Sequence, residues 1–331
     1  MKGLFIMDEA PFDWVYPSDI REQIQALVDG DLPFLTRDQV MDNLSLLKDV
    51  EVVFSGWGGP TLDEEFLEAA PRLDAVFYAA GTVKTIATPA SWRRNVRIVN
   101  AADANAVPVT EFTLSQILFS LKNGWRYVRS IQQERAYPEK SISAGAGAYG
   151  STVGIISLSK IGRRVCELLE PFDVKVIAYD PYVSEEAARS LGVELCSLEE
   201  VFQRADVVSL HTPLLDETRG MITGEHLSLL KPNASFINTA RGAIVREDEM
   251  IEVLAYRDDI TAILDVTYPE PPLPGSPLFT LPNVVLTPHI AGSKGAECAR
   301  MGQSMLEEFQ RYLKNEPLKG EVLEKDMGIM A

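Results

Sequence analysis

The feature that most constrains this chain is a repeated alternation of short strands, apolar from end to end, with longer amphipathic stretches. It occurs twice. The first series comprises GLFIM at 3–7, EVVF at 51–54, AVFYA at 75–79 and VRIV at 96–99, with helical patterns near 17–29 and over LDEEFLEAA at 62–70. The second runs TVGIIS at 152–157, VKVIAYD at 174–180, DVVSL at 206–210, ASFINT at 234–239, AILDV at 262–266 and VVLT at 284–287. A strand with no polar face must be covered on both sides, which is what a parallel sheet between helical layers provides. The expected fold class is therefore α/β, with two parallel-sheet domains. A length of 331 residues agrees, since a single core usually stops growing below that size. Between the two series lie an amphipathic stretch from Val109 to Arg129, read as a connecting helix, and a Gly/Ala/Ser-rich linker at 141–151. A helical segment near 294–315 and a polar tail follow the second series.

Charge narrows the partners. A formal net charge of -17, with no basic run to override it locally, argues against nucleic acid and anionic membrane surfaces. An acidic substrate would need a local cationic pocket. The N-terminal MKGLFIMDEAPFDW has too short an apolar stretch for a signal peptide, so a cytoplasmic protein is expected. Cys166, Cys196 and Cys298 are widely separated and match neither a disulfide framework nor a CxxC metal pattern. With only three histidines, no metal site is expected.

A dinucleotide-binding turn normally reads GxGxxG between a strand and a helix. Here the segment is Ser157-Leu158-Ser159-Lys160-Ile161-Gly162, with serine at the first two glycine positions. Its context is right: an apolar strand precedes it, the amphipathic IGRRVCELLEPF follows, and Asp180 ends the next strand 18 residues beyond Gly162. Asp180 there would accept hydrogen bonds from the adenosine ribose and repel a 2′-phosphate, favouring NAD over NADP. Taken alone, it is an ordinary strand-end carboxylate. Each serine adds a Cβ and a hydroxyl where pyrophosphate approaches backbone, so the loop must be displaced or the hydroxyls must bond the phosphate. Lys160 could place a cation beside it.

From about residue 200 the words ADVVSLHTPL, ETRGMI, INTARGAIVRE, ILDV, EP and PLFTLPNVVLTPHIAG appear in order. In these the chain resembles the D-2-hydroxyacid dehydrogenase family. The likeness extends more loosely through LEAAPRLDAV and NAVPVTEFTL in the first domain.

The resemblance implies roles for particular residues. Arg241 of the ARG motif would bind the substrate carboxylate and keto oxygen, a task suited to the planar fork of a guanidinium. His289 in TPHIAG would be the acid/base, since hydride transfer leaves a proton to be moved to or from the substrate oxygen. Glu270, five residues beyond Asp265, would be its partner carboxylate and stabilise the imidazolium. Asp265 would lie near the nicotinamide carboxamide. His211, Thr212 and Pro213, with Thr239 and Ala240, would line the cofactor cleft beside Ser159, Lys160, Ile161 and Gly162. In the first domain the family's glycine loop is replaced by AAGTVKTI at 79–86, so only Gly81, Thr82 and Val83 carry over as substrate-binding residues.

The resemblance further implies a flavodoxin-like substrate domain from residues 1–103 plus 293–331 and a Rossmann NAD-binding domain over 104–292, flanking an active-site cleft. The helices near 110–129 and 294–315 would serve its closure, and a homodimer is expected. The substrate would be a small 2-hydroxy or 2-oxo acid, and glyoxylate or hydroxypyruvate reduction and 3-phosphoglycerate oxidation are the rivals within the family. No regulatory domain is expected beyond residue 331, which sets phosphoglycerate second. Formate dehydrogenases carry Gln at the place of Glu270. The family also resembles corepressors that use the NAD-bound fold as a binding module, so an NAD(H)-binding sensor with weak or no turnover is the alternative.

Overall fold

A computed structural model describes residues 1–137 and 147–328. The chain divides into two compact units, Met1–Val107 with the segment that begins at Ser293, and Pro108–Gly292. Its strands in chain order are β1 (Gly3–Ile6), β2 (Phe34–Leu35), β3 (Val52–Ser55), β4 (Ala75–Tyr78), β5 (Arg97–Asn100), β6 (Thr152–Ile156) and β7 (Lys175–Tyr179). There follow β8 (Val193–Leu195), β9 (Val207–Leu210), β10 (Ser235–Asn238), β11 (Thr261–Leu264), β12 (Val284–Leu286) and β13 (Glu321–Val322).

The first unit's sheet has the order β13-β5-β4-β3-β1-β2. Read from β2 to β5, this is the doubly wound order of flavodoxin-like folds, with β13 added antiparallel to β5. The central strands β1, β3 and β4 are buried from end to end because both of their faces are covered. Phe5, Phe54 and Phe77 pack with Phe309 of the helix Ala299–Leu313 on one side, while Leu4, Val53 and Val76 meet Phe66 and Leu67 on the other. The tail forms β13 for an identifiable reason. Glu308, 4% exposed, accepts hydrogen bonds from the backbone N–H groups of Lys319 (2.7 Å) and Gly320 (3.2 Å), turning the chain toward β5.

The second unit's sheet, β12-β11-β10-β9-β6-β7-β8, is parallel throughout and has the doubly wound order of a Rossmann domain. Phe202, Val208 and Phe236 lie in the core on one face, and Ile155, Ile237 and Ile263 in that on the other. The strand order reverses between β6 and β9, which pair from Val153↔Val207 to Ile156↔Leu210. The turns that leave them therefore emerge side by side.

Two expectations need correction. The helix predicted over Val109–Arg129 is two, Ala102–Leu121 and Gly124–Glu134, broken where Asn123 takes a left-handed backbone at φ 54°. The helix expected near 17–29 covers only Ser18–Gln25. Of the linker at 141–151, residues 141–146 lie outside the described residues.

Candidate active site

The site residues expected in the second unit all follow the C-terminal ends of parallel strands, where open α/β sheets bind ligands. Ser157 to Gly162 follow β6, Asp180 follows β7, and His211 to Pro213 follow β9. Thr239, Ala240 and Arg241 follow β10, Asp265 and Glu270 follow β11, and His289 follows β12. Gly81, Thr82 and Val83 belong to the first unit, after β4, where Asn100 Nδ2 donates to the Gly81 carbonyl (3.2 Å) and Val83 is buried.

The turn after β6 accommodates its serines unequally. Ser157 has φ 75°, a left-handed backbone suited to the glycine it replaces. Ser159 has φ -63° and ψ -178°, an extended conformation open to any residue. Gly162 is obligatory, because a Cβ there would stand 2.1 Å from the Ser157 carbonyl oxygen. Lys160, Ile161 and Gly162 open the helix Lys160–Leu169, and its preceding residue, Ser159, makes no side-chain cap. The Ser159 hydroxyl donates instead to the His211 carbonyl oxygen at 2.8 Å. Asp180 accepts from the Leu158 N–H (2.8 Å) and the Ser157 hydroxyl (3.4 Å) on one oxygen and from the Tyr182 N–H (2.9 Å) on the other.

These residues fit a dinucleotide. The helix start presents its first N–H groups without a side-chain cap, as a pyrophosphate requires. Beside it, His211 Nδ1 and Thr212 Oγ1 are buried polar atoms without a hydrogen-bond partner among the described residues. The other His211 nitrogen, Nε2, lies 3.0 Å from Ser209 Oγ, and burial pulls the imidazole down to about 3, so it is neutral at physiological pH. Asp180 retains acceptor capacity for the ribose, since a carboxylate offers about four lone-pair sites.

Arg241 is held by its own turn. Asn238, 1% exposed, accepts from the Ala240 N–H (3.0 Å) and donates to the Arg241 carbonyl (3.2 Å). Gly242 follows because nothing larger fits: a Cβ there would lie 2.0 Å from the Thr267 carbonyl carbon. Arg241 Nη1 donates to the Ala240 carbonyl (2.7 Å), and no ion pair forms at the guanidinium among the described residues. Burial lowers its pKa, and the charge of Glu270 pushes back. The site thus contains a partly desolvated cation suited to an anion.

His289 Nδ1 and Glu270 Oε1 are 2.6 Å apart. With Nδ1–H donated to the carboxylate, Nε2 is the nitrogen left to exchange a proton. Sequence reasoning missed two hydroxyl contacts in this unit. His289 is itself left-handed at φ 53°, and Thr287, two residues before it, donates its hydroxyl to Asp265 Oδ1 at 2.5 Å. Thr239 meets Thr113 hydroxyl to hydroxyl at 3.0 Å, a contact across 126 residues for which the sequence holds no signal. Among the described residues there is no group of three or more His, Cys, Asp or Glu that could hold a metal ion, and no helix long and apolar enough to cross a membrane.

A doubly wound sheet with an uncapped helix start at its switch point is the architecture of dinucleotide-binding proteins. The chain belongs to the D-2-hydroxyacid dehydrogenase family: residues 114–291 match the model described as D-isomer specific 2-hydroxyacid dehydrogenase, NAD binding domain, which is more than half of the chain. That segment is its NAD-binding domain. Among its relatives is the D-3-phosphoglycerate dehydrogenase of Methanocaldococcus jannaschii, 32% identical over 85% of this chain and 53% of that protein. The chain therefore spans about half the length of such relatives. The glyoxylate reductase of Korarchaeum cryptofilum is 30% identical over 82% of both chains. In fold, the chain resembles the NAD-complexed D-isomer specific 2-hydroxyacid dehydrogenase of Lactobacillus delbrueckii ssp. bulgaricus, with a TM-score of 0.80 at 23% identity over 97% of this chain and 100% of that one.

Proposed function

We propose that the protein is an NAD-dependent dehydrogenase that interconverts a small D-2-hydroxy acid and its 2-oxo acid. The observation that carries this reading is the 2.6 Å contact between His289 Nδ1 and Glu270 Oε1 at the C-terminal edge of the NAD-binding sheet. When bound, NAD accepts or supplies the hydride. The chain's own residues do the rest. Arg241 holds the substrate carboxylate and polarises its keto oxygen; its fork matches both oxygens, and no ion pair competes for it among the described residues. His289 gives a proton from Nε2 to the oxygen during reduction and takes it back during oxidation. Glu270 holds the ring in the tautomer that leaves Nε2 available and stabilises the imidazolium. Asp180 selects NAD over NADP by accepting the ribose hydroxyls and repelling a 2′-phosphate. A homodimer, expected from the family resemblance, and a cytoplasmic location, expected from the N-terminal sequence, are part of the same reading, and gel filtration with light scattering tests the oligomeric state.

The test is NADH oxidation, followed in absorbance, against glyoxylate, hydroxypyruvate, pyruvate, phenylpyruvate and branched 2-oxo acids, with NADH and NADPH titrated directly. Turnover of a panel member with tighter NADH than NADPH binding is expected. Tight NADH binding with no turnover overturns the enzyme reading in favour of a binding module.

A further inference from the structure

Asp265 lies at the end of β11, 2% exposed, and its hydrogen bonds fall on both sides of His289. Its Oδ1 accepts from the Thr287 hydroxyl (2.5 Å) and the Ile290 N–H (2.8 Å), and its Oδ2 from the Ala291 N–H (2.8 Å). Its backbone carbonyl accepts from the His289 N–H at 3.0 Å. Between these anchors His289 has φ 53°, a left-handed conformation that disfavours any residue with a Cβ. Such a backbone persists only where its surroundings over-determine it.

We propose that Asp265 is a positioning residue for the acid/base histidine, fixing the left-handed turn that delivers His289 Nδ1 to Glu270. This rests on the reading of His289 and Glu270 above and assigns Asp265 a task separate from contact with the cofactor. The carboxylate is suited to it because every group facing it on this loop is a donor, and a buried acceptor with two oxygens satisfies all three at once. An amide cannot. Asn at the same place would turn an NH2 group against Ile290 and Thr287 or against Ala291, leaving donor facing donor in a buried site.

The experiment compares wild type, Asp265→Asn and Thr287→Val. The Thr287 variant keeps the carboxylate charge and removes one bond, so it separates geometry from electrostatics and covers the case in which Asp265→Asn does not fold. Three quantities are read: kcat and KM for 2-oxo acid reduction, NADH Kd by fluorescence, and the downfield Nδ1–H proton resonance of His289, assigned by its loss in His289→Asn. For Asp265→Asn, kcat should fall about a hundredfold, the usual effect of misplacing a catalytic group by an ångström. The downfield resonance should disappear with Glu270 intact, and in Thr287→Val, which leaves the carboxylate in place for the cofactor, NADH Kd should hold within about twofold, well under the tenfold that 1.4 kcal/mol represents. Thr287→Val should lose part of kcat and shift or broaden the same resonance. A weakened NADH Kd with the resonance unchanged in both variants would overturn the proposal and make Asp265 a cofactor ligand alone. Full turnover by His289→Asn would instead overturn the acid/base reading while leaving the resonance test of the turn intact.

Discussion

Ser159 directs its hydroxyl to the carbonyl oxygen of His211, 2.8 Å away, and leaves the helix it precedes without a side-chain cap. The bond joins the turns that leave β6 and β9, neighbours at the point where the strand order reverses. A serine before a helix ordinarily accepts from the helix's own N–H groups. Here that would fill the position a pyrophosphate needs.

The contrast between two substitutions follows. Ser159→Ala deletes the link to His211, so stability should fall by about 1 kcal/mol while NADH affinity changes little. Ser159→Asp introduces a carboxylate that can cap the helix and favour its dipole, at the place where the proposed reading puts a cofactor phosphate. NADH binding should weaken at least tenfold, about 1.4 kcal/mol. Fluorescence titration and urea unfolding measure the two effects. Equal NADH affinity in Ser159→Asp and wild type would place the pyrophosphate elsewhere.

Ser157 has φ 75°, where a side chain is disfavoured by about 1–2 kcal/mol. Ser157→Gly relieves that strain but adds about 0.5–1 kcal/mol of chain entropy to the unfolded state. The hydroxyl it removes reaches Asp180 only at 3.4 Å, a weak bond. The variant should be more stable than wild type by up to about 1 kcal/mol, read as a higher urea midpoint with unchanged slope.

Arg241→Lys keeps the charge and loses the planar fork. A lysine ammonium can meet one carboxylate oxygen but cannot also polarise the keto oxygen along a second parallel bond. The kcat/KM for 2-oxo acid reduction should fall about a hundredfold, close to 2.7 kcal/mol of transition-state stabilisation. Turnover at the wild-type rate would remove Arg241 from the substrate.

Much of this was legible in the residues because the strands are apolar on both faces, so their positions survive without any knowledge of pairing. The phosphate turn was legible only through its context, since both serines break the glycine pattern. What escaped was short or non-local. β2 and β13 are two residues each, and β8 is three, lengths at which no periodicity can be expressed. The break at Asn123 was hidden because apolar residues continue at helical spacing on both sides of it. The holding of His289 by Asp265 joins residues 22–26 apart that only strand pairing brings together. The resemblance pointed at Asp265 as a cofactor neighbour and said nothing of the loop around it.

His211 links the cofactor turn to stability in acid. It is 4% exposed, Nε2 reaches Ser209 Oγ at 3.0 Å, and burial has pulled its pKa from 6.5 to about 3. Between those two values the unfolded chain binds a proton that the folded chain refuses. Stability therefore declines as pH falls through that window, by up to about 1.4 kcal/mol per pH unit from this group. His226, also lowered chiefly by burial, adds a slope of the same sign. His211→Asn replaces the imidazole with a side chain that does not titrate. Its urea-unfolding free energy should be lower than wild type near neutral pH, because the Ser209 contact and some packing are lost. On acidification from about pH 6.5 to about pH 4.5 it should fall less steeply than wild type, by on the order of 1 kcal/mol per unit. Parallel pH dependences for the two proteins would mean that His211 takes up its proton in the folded state, and the turn after β9 would then have to be open to water.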